Sequence, residues 1–147
     1  MATMSHHHKR HWDPSLAIGD QAIDHQHQEL FDSIFFLDRA LESLDPSTEL
    51  EKVLSFLEHY VADHFLEEEA LMQKHRFEGY SEHKREHDIY RKKVSDIRDH
   101  FQTSRPLAHT VFAIRRLIDD MVAHVCEIDV KIAHLSGAKL PLEESRL

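Results

Sequence analysis

The chain has 147 residues, 41% of them hydrophobic and 31% charged, with a net charge of −9 when histidine is neutral. That length supports one domain with a sizeable core, and the acidic balance argues against the basic face a nucleic-acid binder needs. Three Gly and four Pro favour long helices over a loop-rich β fold, while no run of about 18 apolar residues offers a membrane span.

The N-terminus lacks the apolar core of a signal peptide. His6, His7, His8 and His11 crowd residues 1–11, which read as a His-rich arm, mobile or part of an expression leader. Asp20, after Gly19, is a helix N-cap. The buried row of helix one is Ile23, His27, Leu30, Ile34, Leu37 and Leu41. "LDPSTEL" breaks the chain, with Asp45 capping and Pro46 at the first helical position. The second row runs Leu50, Leu54, Leu57, Val61, His64, Glu68, Leu71, at the spacing of one buried helix face. Glu67 and Glu69 lie off this row and are expected to face water. "RFEGYS" turns around Gly79, and the third row follows as His83, His87, Tyr90, Val94, Ile97, Phe101. After "TSRP" the fourth row is Thr110, Ile114, Leu117, Met121, His124, Ile128, with Gly137 closing the helix. The predicted organisation is an arm over 1–11, a helical unit over 12–136 and a polar tail over 137–147. Cys126, the single cysteine, excludes an intrachain disulfide and fits a reducing cytoplasm.

Connections this short predict an all-α, antiparallel, up-down-up-down four-helix bundle. In that topology His27, His64, Glu68, His83, His87 and His124 meet at one end, within roughly 15 Å of it at about 1.5 Å rise per residue. A buried charge needs pairing or a metal, and a lone core histidine needs only one hydrogen bond. Polar intrusions into all four apolar rows at one depth point instead to a shared metal centre. His83 and His87, one helical turn apart, can clasp one ion. Five imidazoles exceed the needs of one tetrahedral zinc; imidazole mixed with carboxylate suits octahedral iron or manganese. Asp129 is the natural second acid. It lies about 140° around a helix from His124, so spacing alone leaves it open between a ligand and a flanking surface acid.

The pieces "IDHQH", "HFLEEEALM", "HKREH" and "HVCEID", in that order, resemble the hemerythrin family, most closely the single-domain bacteriohemerythrins. The likeness runs from about residue 12 to about residue 134. Trp12 resembles the tryptophan that precedes the first helix in that family, while Phe77-Glu78 stands where Tyr-Pro often occurs. The resemblance implies two non-haem irons with an oxo or hydroxo bridge. His83, His87 and His124 would bind one, His27 and His64 the other, and Glu68 and Asp129 would bridge them. His25 in "DHQHQ" points about 160° away from His27 and is expected to be exposed.

With that bridge the donors number about eleven, where two octahedra need about twelve, so one position stays open on the two-His iron. The family implies that O2 binds there reversibly as a hydroperoxide, in a carrier, storage or delivery role and not as an enzyme. Ile23, Phe31, Leu117 and Met121 are candidates for a dry lining. The alternatives are an O2 or redox sensor acting through a separate protein partner, or a di-iron enzyme acting on peroxide or nitric oxide. The Glu-x-x-His motif of ferritin-like oxidases is absent. The expected setting is cytoplasmic, without nucleic acid or membrane.

Overall fold

Each predicted row becomes a helix. The computed structural model describes residues 11–103, 107–133 and 135. The α-helices are α1 (Gln21–Leu41), α2 (Pro46–His59), α3 (Phe65–Lys74), α4 (Tyr80–Gln102) and α5 (Leu107–Glu127). A π turn, Tyr60–His64, joins α2 to α3 without a break, so the segments make four rods. Among the described residues there is no strand, and no helix is long and apolar enough to cross a membrane. Residues 1–10, with His6, His7 and His8, lie outside the described residues, as do His134, Gly137 and the tail over 137–147.

The caps form where the sequence puts them. Asp20 accepts the Ile23 amide at 3.1 Å, and Asp45 accepts that of Thr48 with Pro46 opening the helix. Gly19 has φ 96°, a left-handed conformation that side chains resist; this bend lets the Ile18 and Gly19 amides reach the Asp24 carboxylate. After α3 the left-handed residue is Arg76, φ 54°, not Gly79. The Phe77 amide closes back onto Met72 O at 2.9 Å, as in a Schellman motif. Gly79 serves closeness instead: a Cβ there would meet the Phe77 ring at 2.8 Å.

The buried face after the π turn is wider than the predicted row. His64 and Glu68 are buried where the row puts them, but Phe65 and Glu69, one position on from each, are buried as well. Met72 is fully buried where Leu71, the predicted residue, is only partly so. Glu69, expected in water, is 5% exposed. At the bundle's other end Leu41, the last residue of α1, is 49% exposed, because the row outruns the core.

Two apolar clusters bracket the polar residues. The large one runs from Leu50 and Leu54 through Leu30, Leu57, Phe65, Val94, Ile114 and Leu117 to Val125. The small one, Ile18, Ile23, Met72, Ile132, Ala133 and Leu135, is separate from it. Ile23 and Met72 lie one turn beyond His27 and Glu68 along their helices, so the small cluster closes the bundle end.

Candidate metal centre

Each rod presents its share of the polar residues to one buried point. His27 comes from α1, His64 from the π turn, Glu68 from α3, His83 and His87 from α4, His124 from α5, and Asp129 from the 3-10 turn Asp129–Ile132 that follows. All seven are buried. Every imidazole turns its Nε2 inward. Glu68 Oε2 lies 2.9 Å from His27 Nε2 and 3.0 Å from His64 Nε2; its Oε1 lies 3.1 Å from His87 Nε2 and 3.4 Å from His83 Nε2. Asp129 Oδ1 is 2.9 Å from both His83 Nε2 and His124 Nε2, and Oδ2 is 3.1 Å from His27 Nε2. The ligand atoms fall into two groups, His83, His87, His124 and His27, His64, with Glu68 and Asp129 common to both. Within each group they lie within 4.8 Å of one another.

Helical spacing alone left Asp129 open because it assumed an unbroken helix. α5 ends at Glu127, well before Gly137, and the tighter 3-10 turn carries Asp129 back to the axis. Its carboxylate is 1% exposed.

A second set of residues holds the imidazoles from outside, and the sequence reading missed it. His64 Nδ1 donates to Gln26 Oε1 at 2.7 Å, His87 Nδ1 to Glu69 Oε2 at 2.7 Å, and His124 Nδ1 to Glu86 Oε1 at 2.8 Å. Such bonds fix the tautomer and leave Nε2 free to coordinate. Each of these three residues adjoins an inner one in sequence: Gln26 beside His27, Glu69 beside Glu68, Glu86 beside His87. Each serves a histidine on a different rod. That adjacency is the signal a sequence reading could use. Arg91 backs the arrangement, donating to Glu69 Oε2 at 2.9 Å and to the π-turn carbonyl of Val61 at 3.3 Å. Phe65 lies flat on His87, with centroids 3.8 Å apart and planes 2° apart. Tyr60 stacks on His64 at 4.4 Å.

The electrostatics are those of a site built for cations. Burial lowers the pKa of His27, but the Asp129 and Glu68 carboxylates outweigh it and push the group up to about 10. The same balance lifts His83 to about 9 and moves His124 upward. Burial raises the Glu68 carboxyl, yet His64, His27 and His83 hold it well below the usual range. Asp129, raised by burial and by Glu68, is pulled down further by His124 and His27. Hydrogen bonding does not satisfy the cluster. His27 and His64 face each other through Nε2 at 3.1 Å, as His83 and His124 do at 3.2 Å. Glu68 Oε1, His87 Nε2 and both Asp129 oxygens are buried without a hydrogen-bond partner. Glu68 Oε1 and His87 Nε2 lie 3.1 Å apart but out of hydrogen-bond alignment. Paired imidazole nitrogens and orphaned carboxylate oxygens converging on two points fit two metal ions.

The remaining predicted residues separate clearly. His25 is exposed, as are His59, His75, His100 and His109. Phe31, Leu117 and Met121 belong to the large cluster and Ile23 to the small one, so the four do not form one wall. Trp12 and Cys126 are partly buried against the large cluster.

Comparison with known proteins agrees with this geometry. The profile of the "Hemerythrin HHE cation binding domain" matches residues 19–134. Hemerythrin subunit 1 of Golfingia vulgaris is 39% identical over 79 residues, 54% of this chain and 62% of that protein. Myohemerythrin of Sipunculus nudus is 28% identical over 122 residues, covering 82% and 88% of the two chains. Bacteriohemerythrin of Pseudomonas paraeruginosa is 31% identical over 91 residues, 62% and 59%. The chain thus spans only 60–62% of the length of the Golfingia vulgaris hemerythrin subunits. No solved structure gave a significant match.

Proposed function

Because the chain belongs to the hemerythrin family, we propose that it binds O2 reversibly at a non-haem di-iron centre. One observation carries this reading. Five buried imidazoles divide into a set of three and a set of two around a shared pair of carboxylates. His83, His87 and His124 would hold one iron and His27 and His64 the other, with Glu68 and Asp129, common to both groups, shared between them. These residues would hold two ferrous ions, which would supply the two electrons that reversible O2 uptake requires.

The chain's own residues do the rest. Gln26, Glu69 and Glu86 hold the rings with Nε2 inward. Phe65 and Tyr60 keep His87 and His64 from rotating. The two apolar clusters exclude bulk water from both ends of the site, which favours reversible binding over irreversible autoxidation. Two carboxylates among five neutral imidazoles give little anionic charge to stabilise high-valent iron, which favours binding over catalysis. Cross-rod pairs support the up-down-up-down order. His27, early in α1, meets His64 beyond the end of α2, and Arg98, late in α4, bonds Glu51, early in α2. Arg115, early in α5, pairs with Asp38, late in α1.

The test is optical. Iron-loaded protein prepared without air is expected to be colourless, to gain a visible charge-transfer band in air, and to lose it under vacuum through repeated cycles. Irreversible oxidation on first exposure, with continuing O2 consumption, overturns the proposal in favour of an enzyme.

A further inference from the structure

The two sides of the cluster are backed by different chemistry. On the three-His side, His87 and His124 donate their Nδ1 protons to carboxylates, Glu69 and Glu86. On the two-His side, His64 donates to the neutral amide of Gln26, and His27 Nδ1 is buried without a hydrogen-bond partner. An acid stands close there as well. The Gln26 amide nitrogen donates to Glu67 Oε2 at 2.8 Å, so the glutamine separates His64 Nδ1 from that carboxylate. A charge is replaced by a dipole.

A carboxylate that accepts from Nδ1 draws the proton toward itself and makes Nε2 a stronger donor to metal. A neutral amide accepts a weaker bond and does less. We propose, resting on the di-iron reading above, that this outer asymmetry makes the two ion positions unequal. The three-His position holds its ion tightly, the two-His position releases its ion readily, and Gln26 is the positioning residue that keeps the second weak. Three imidazoles against two would already order the positions. Substitutions in the outer residues separate the causes, because they leave every inner donor in place. Arg91 shares Glu69 Oε2 with His87 and draws off part of that acid's charge, so Glu86 is the better residue to change.

The experiment is an anaerobic titration of the full chain with Co2+, followed by withdrawal of the metal with a chelator. Two equivalents bound support the di-metal reading; fewer overturn it, and this inference with it. Withdrawal from the wild-type chain is expected in a fast and a slow phase. Gln26→Glu should slow the fast phase about tenfold and leave the slow one alone; Glu86→Gln should speed the slow phase about tenfold and leave the fast one alone. These opposite, position-specific changes are what charge predicts, whereas loss of packing would weaken both variants. Two equivalents bound with both phases unchanged in both variants overturns the inference while the di-metal reading stands. A fast phase accelerated by Gln26→Glu also overturns it. Glu86→Gln preserves size and shape, so it decides the matter should Gln26→Glu fail to fold.

Discussion

Phe65 ties the fold to the site, and its removal should damage the two by different amounts. The side chain is 1% exposed. It stacks on His87, meets Tyr60 edge-on at 5.6 Å, and lies under the Arg91 guanidinium at 5.4 Å. Phe65→Ala removes this volume from the middle of the core, where such truncations cost about 3–5 kcal/mol. That is a large part of a whole domain's roughly 5–15 kcal/mol. Phe65→Leu keeps most of the volume and loses the flat face, so folding should fall by only about 1 kcal/mol. His87 is then free to rotate off its Glu69 bond, and iron affinity should drop about tenfold, as when other outer supports of a ligand are removed. Urea unfolding of the chelator-treated chain reads the first effect, and a competitive iron chelator reads the second. If Phe65→Leu binds iron as tightly as wild type, the ring is mere filling and the reasoning fails.

Replacing His124 by Ala should leave iron short of two ions per chain, while replacing His25, whose side chain is 72% exposed, should leave it complete. Iron analysis of purified variants decides both. Metal uptake should tighten as pH rises from 7 toward about 9–10, because His27 and His83, lifted to about 10 and about 9, must lose protons before they bind. Calorimetry in buffers of different ionisation heat would show proton release, and a pH-independent affinity would contradict it. Arg98 forms paired hydrogen bonds with Glu51 and with Glu58; Arg98→Met should lower stability by up to about 1 kcal/mol. Arg98 holds both acids below their usual pKa of 4.5. The difference should therefore be full above that pH and fade as pH falls through the lowered values, as paired urea titrations would show.

The sequence displayed the inner residues because each interrupts an apolar row. Histidine at positions 27, 64, 83, 87 and 124 is conspicuous where leucine is expected. Their depth along the rods follows from rise per residue alone. Two local departures from α geometry hid the rest. The π turn at Tyr60–His64 leaves no mark in a pattern of three- and four-residue steps, so Glu69 read as a solvated acid one place off the row. The 3-10 turn at Asp129 likewise escapes a 100° wheel, and only the family likeness gave that residue a role. Gln26 and Glu86 were missed for a different reason. Each flanks its own helix's inner row, and its partner lies on a neighbouring rod.

The inner cluster also has a way to exist before any metal arrives. Two buried carboxylates, Glu68 and Asp129, would be expensive left unbalanced. With their pKa pushed up to about 10 and about 9, His27 and His83 should hold protons near neutral pH in the metal-free chain, so that two imidazolium ions would face two carboxylates inside the bundle. Protons occupy the role that metal charge takes over on loading, so the chelator-treated chain should keep its helices at pH 7. The sign of the pH dependence follows. A histidine whose folded pKa is raised stabilises fully below its unfolded value near 6.5 and loses that contribution as pH climbs through the folded value. For His83 and His27 the loss runs through about 9 and about 10. The metal-free chain should therefore lose the contribution of these two protons steadily above neutral pH, through about 9 and about 10, where the loaded chain, with no such protons to lose, keeps its stability. Circular dichroism during urea titrations of both forms from pH 7 to 10 measures this. A metal-free chain already unfolded at pH 7, or one as alkali-stable as the loaded form, would show that protons do not balance these acids.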